Sequence, residues 1–155
     1  QCGANWMESR MAHLAGQFAG VVRLEVDAAG LDALEAALRG LEAEGLRVAI
    51  ARGGPLVAAE ARRVCLDLVG HDRPGIVREI SSVLARHGVS IEALETGCES
   101  ASMSGETLFR ARAELAVPAA CDLAGIRADL EALANELMVD LAFDEVPAGR
   151  SALAA

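Results

Sequence analysis

The six residues from Gly70 to Gly75, GHDRPG, join a strand-like stretch to a helix-like one and could bind a small anion. Arg73 precedes a proline and is therefore biased towards extended backbone, while Gly75 has no side chain to block access to the helix start. The first N–H groups of a helix have no intrahelical acceptor and suit a carboxylate. Asp72 could cap those donors or accept a ligand ammonium. The turn therefore fits a zwitterion, although Asp-x-Pro-Gly is also ordinary turn and cap chemistry.

The other reactive side chains do not form a recognisable catalytic or metal-binding set. The three histidines stand at a predicted hairpin tip, in the turn and at a helix end (His13, His71 and His87), and none has a convincing partner in the sequence. The carboxylates concentrate on predicted helical faces, which are usually solvated. The four cysteines form no CxxC pair, so we expect reduced structural thiols (Cys2, Cys65, Cys98 and Cys121). The sequence thus predicts no catalytic residue, no metal and no cofactor.

Composition restricts the class of protein further. The chain has 155 residues, a hydrophobic content of 53% and a formal net charge of −9. An acidic chain repels phosphate backbones, so we expect no direct binding to nucleic acid. No apolar run approaches the roughly 20 residues that cross a bilayer. We therefore expect a cytoplasmic protein with a substantial core and no membrane contact.

The second half of the chain alternates strand and helix patterns in the order βαββαβ. A strand over 63–69 precedes a helix with apolar spacing from Ile76 to His87, and Gly88 stands where a C-cap would. Strands follow over 89–98 and around Phe109 to Leu115, separated by a loop over 99–106. Pro118 is predicted to open a second helix. The fourth strand contains Val139, Leu141 and Phe143.

The first half repeats the last four of those elements. Strands are predicted over 3–13 and 17–26, and a helix follows with the same 3-4-3 spacing of apolar residues as the second helix of the other half (Leu31, Leu34, Leu38, Leu41; Leu123, Ile126, Leu130, Leu133). Val48 and Ile50 are predicted to form the closing strand. The opening strand and helix of the second half have no counterpart in the first half. We therefore expect about 25 or more residues before Gln1 that supply them, or another segment that takes their place in the fold.

The predicted architecture is therefore α+β, with two ferredoxin-like units of which the first lacks its opening strand and helix. We place the first unit at 1–52, a linker at 53–59, the second unit at 60–146 and a flexible tail at 147–155. The helix-free sheet faces and the edge strands need protection, so we expect a homo-oligomer.

The run HDRPGIVREISSVLARHGVSIEAL resembles the ACT domain, a small regulatory module that senses amino acids. The segment GANWMESRMAHLAGQFAGVVRLEV resembles the first repeat of the two-ACT glycine cleavage system transcriptional repressors. The resemblance implies an amino acid site where two such units meet. The resemblance also implies which residues contact the amino acid. They are Asp72, Gly75, Ile76 and Val77 of the turn, Ser90 and Ile91 of the next strand, and Asn5 of the first repeat. Ser90 departs from the asparagine often found there.

Three functions follow as hypotheses. The first is a non-catalytic sensor of a glycine-like amino acid that acts through a separate transcriptional regulator protein, in repression of glycine cleavage genes. The second is a structural, oligomerising ACT module whose turn binds nothing. The third is a regulatory fragment of an amino-acid or folate-linked enzyme, such as a formyltetrahydrofolate deformylase.

Overall fold

The computed structural model describes residues 3–53, 61–100 and 106–146, which divide between two compact units. The first unit lies within Gln1–Leu56 and the second within Val57–Ala155. The predicted tail at 147–155 and most of the predicted linker lie outside the described residues, as does the middle of the loop between the second and third strands of the second unit.

The first unit contains a β-hairpin and a helix. Strands β1 (Asn5–Leu14) and β2 (Gln17–Glu25) pair antiparallel around a tight turn, and helix α1 (Leu31–Gly40) continues into a short 3-10 turn, Leu41–Glu44. A two-stranded sheet has little surface on which to build a core. Accordingly, several large apolar side chains of the hairpin are exposed to solvent, namely Trp6, Leu14, Phe18 and Val21.

The predicted closing strand of the first unit is not present. Residues 46–50 around Val48 and Ile50 have no strand structure, although both side chains are half-buried. A strand forms only where a neighbour accepts and donates its backbone hydrogen bonds. Within the described part of the first unit, no strand occupies the place beside these residues, so their alternating apolar pattern does not produce a strand.

The second unit contains a complete βαββαβ fold. Its elements are β3 (Ala61–His71), α2 (Ile76–Arg86), β4 (Ser90–Ser100), β5 (Thr107–Pro118), α3 (Leu123–Leu137) and β6 (Val139–Glu145). The four strands are antiparallel in the order β4-β5-β3-β6. The opening strand β3 thus lies between the third and fourth strands, as in a ferredoxin-like sheet. The predicted fold class is confirmed.

One hydrophobic core joins the sheet of the second unit to its two helices. Leu68 of β3, Leu84 of α2 and Leu130 of α3 are almost fully buried in it. The predicted apolar face of α3 is confirmed, since Ile126 and Leu130 are inaccessible and the two flanking leucines pack partly against the core. This core fixes α2 on the sheet and so determines where its N-terminus lies.

Pro118 does not open a helix, contrary to the sequence prediction. It is the last residue of β5, where it pairs with Ala61, and α3 begins five residues later. Proline is tolerated at a strand end as readily as at a helix start. The helix start is set instead by Asp122, whose Oδ1 accepts a hydrogen bond of 3.0 Å from the N–H of Ala124.

Candidate functional site

The N-terminus of α2 has no side-chain cap. Gly75 is its N-cap residue, in left-handed backbone at φ +101°, and the first helical hydrogen bond runs from the N–H of Glu79 to the Gly75 carbonyl at 3.0 Å. The N–H groups of the first turn therefore have no intrahelical acceptor. Asp72 does not cap them, whereas Asp122 does cap α3. The start of α2 can accept an external anion.

The loop before α2 is fastened to β5 by the backbone. The N–H of Asp72 donates to the carbonyl of Thr107 at 3.1 Å, and its side chain is exposed. Beside it, Nδ1 of His71 lies 3.8 Å from a carboxylate oxygen of Glu106. Asp72 is therefore available at the surface beside the helix start, as an acceptor for a cationic group.

An open cleft of about 440 Å³ lies at the start of α2. Three of the predicted ligand residues meet there, namely Gly75, Ile76 and Val77. Asp72 does not line the cleft. Its remaining lining residues were not predicted as ligand contacts: they are Arg73, Arg78 and Phe109. Phe109 reaches the site because it pairs with Gly70 across β3 and β5, and that register is not visible in the local sequence.

A second, smaller recess lies between α2 and β4. Val77 and the predicted contact Ile91 both line it, together with Leu94 and other apolar side chains. A β-bulge between Ile91 and Ala93 places Ile91 and Leu94 on the helix side of the sheet, although they are three residues apart. Its volume is about 20 Å³, which is room for about one water molecule. The recess is therefore too small to hold an amino acid.

The last two predicted contacts, Ser90 and Asn5, are not among the residues that line the cleft. Ser90 is exposed and pairs with Ala116, so it faces the side of the sheet opposite to Ile91. Asn5 lies in the other unit, at the start of β1, where its Nδ2 donates to the sulfur of Met7 at 3.2 Å. The roles predicted for Ser90 and Asn5 therefore stay predictions.

The cysteines of the described part of the chain are free thiols, at positions 65, 98 and 121. Burial, followed by the nearby Asp67 carboxylate, raises the pKa of the Cys65 thiol to about 11. Cys65 is thus a poor nucleophile at neutral pH because the thiolate is the reactive form. Within residues 3–53, 61–100 and 106–146, no three His, Cys, Asp or Glu side chains group to hold a metal ion. No helix in those ranges is long and apolar enough to cross a membrane.

A search of the solved structures finds proteins of the same fold. A protein of unknown function from Galdieria sulphuraria is 32% identical at a TM-score of 0.74, and the match covers 94% of this chain and 84% of that one. A candidate glycine cleavage system transcriptional repressor is 18% identical at a TM-score of 0.68, over 94% of this chain and 83% of that one, which shows a shared fold. A formyltetrahydrofolate deformylase from Pseudomonas putida is 20% identical, with coverages of 57% and 30%, and its TM-score of 0.47 supports no inference.

No curated protein matches the sequence. The model of the ACT domain family matches residues 66–119, which run from the middle of β3 to just beyond β5 and include the whole cleft. ACT domains are regulatory modules. Residues 66–119 thus match the ACT domain family, and the structural match to the Galdieria sulphuraria protein extends over both units.

Proposed function

We propose that this protein is a non-catalytic regulator that binds a short amino acid, glycine or a similar one, at the start of α2. The observation that carries the proposal is the uncapped first turn of α2, which opens on a cleft of about 440 Å³. Backbone N–H groups and the positive helix end would hold the α-carboxylate. The exposed Asp72 carboxylate would accept the ammonium. Val77 and Phe109 would contact the rest of the ligand.

The proposed output is indirect repression of glycine cleavage genes through a separate transcriptional regulator protein. The sequence resemblance to the two-ACT repressors suggests this output, and the fold shared with a candidate repressor of that class is compatible with it. A formal net charge of −9 opposes contact with DNA, which supports a protein partner. Free thiols at three positions suit the reducing cytoplasm, where we place the protein as a homo-oligomer.

The test replaces a glycine that lines the cleft and one that does not. Gly75 and Gly88 both have positive φ, at +101° and +67°, and lie at opposite ends of α2. Asparagine tolerates such backbone better than most residues do. Gly75→Asn adds a side chain at the ligand position, whereas Gly88→Asn adds one in open space. Calorimetry across the amino acids should show binding lost in Gly75→Asn and kept in Gly88→Asn.

Asparagine is a better choice here than valine. Gly75→Val would also block the cleft, but a β-branched residue at φ +101° would strain the backbone. A loss of binding in Gly75→Val could then reflect partial unfolding. If Gly75→Asn folds, by circular dichroism, and binds as the wild type does, the proposed site is wrong.

An oligomerising module is the second candidate. Strand β4 is an edge strand of 11 residues, with Ile91 and Leu94 exposed to 40% and 45%. Long exposed edges with apolar side chains pair readily with another chain. This candidate predicts a stable assembly in light scattering and no heat of binding with any amino acid. The sensor hypothesis would then fail.

A further inference from the structure

We draw no further inference here: the strongest candidate, the open edge of β2 beside the half-buried apolar face of α1 in the first unit, restates the opening strand and helix already expected for that unit, and nothing in the described residues shows what covers it.

Discussion

Leu130 is the central core residue of α3, and its replacement by alanine tests the packing that positions the cleft. The side chain is 0% exposed, and Leu130→Ala removes three carbon atoms from the core. At about 0.8 kcal/mol for each buried carbon, the transfer contribution is about 2.4 kcal/mol. The cavity left behind adds to this, so we expect a loss of about 2–5 kcal/mol in the free energy of unfolding.

The assay is urea denaturation followed by circular dichroism at a helix wavelength. Leu38 is the comparison, because it holds the equivalent place in the 3-4-3 pattern of the first unit but is only half-buried. Leu38→Ala should cost about 1 kcal/mol, in proportion to the smaller area that it buries. A loss below about 0.5 kcal/mol for Leu130→Ala would refute the assignment of the buried face of α3.

Three further predictions follow from single contacts. Gly70→Ala should destabilise the protein by about 1–3 kcal/mol in the same denaturation assay, because a Cβ there would approach Val139 to an impossible distance; an unchanged midpoint would contradict this packing. Cys65 should resist iodoacetamide at pH 8 and react as the pH approaches 11, by peptide mass mapping, because burial raises its pKa to about 11; rapid labelling at pH 8 would contradict this. The Arg52 hydrogen bond holds the pKa of Glu35 below its ordinary value of 4.5, so this carboxylate stabilises the fold above about pH 4.5 and the contribution is lost as the pH falls through the lowered pKa. Glu35→Gln should therefore flatten the acid side of the pH–stability curve, and an unchanged curve would exclude this contribution.

The fold could be predicted from the sequence where one periodic pattern determines burial. The spacing of Ile126 and Leu130 places them on one helical face, and the sheet buries that face. The alternating apolar pattern at Val48 and Ile50 does not lead to a strand, because a strand also needs a partner strand. The sequence of the segment itself cannot supply that partner. Pro118 was misassigned because proline suits both a strand end and a helix start.

The candidate site was only half visible in the sequence. The turn residues Gly75, Ile76 and Val77 could be named because helix-start chemistry is local. Phe109 could not be named, since it lies more than 30 positions after these turn residues in the chain. It reaches the cleft only through the pairing of β3 with β5. The bulge in β4 between Ile91 and Ala93, which brings Ile91 and Leu94 to the same side of the sheet, likewise carries no local sequence signal.

The central claim is that the uncapped first turn of α2 binds the carboxylate of an amino acid. The most direct test follows backbone amide signals by nuclear magnetic resonance as glycine is added. We predict the largest saturable shifts at Ile76 and Val77, and none at Ala124, because Asp122 already caps α3. No saturable shift at Ile76 or Val77 at millimolar amino acid would contradict the account.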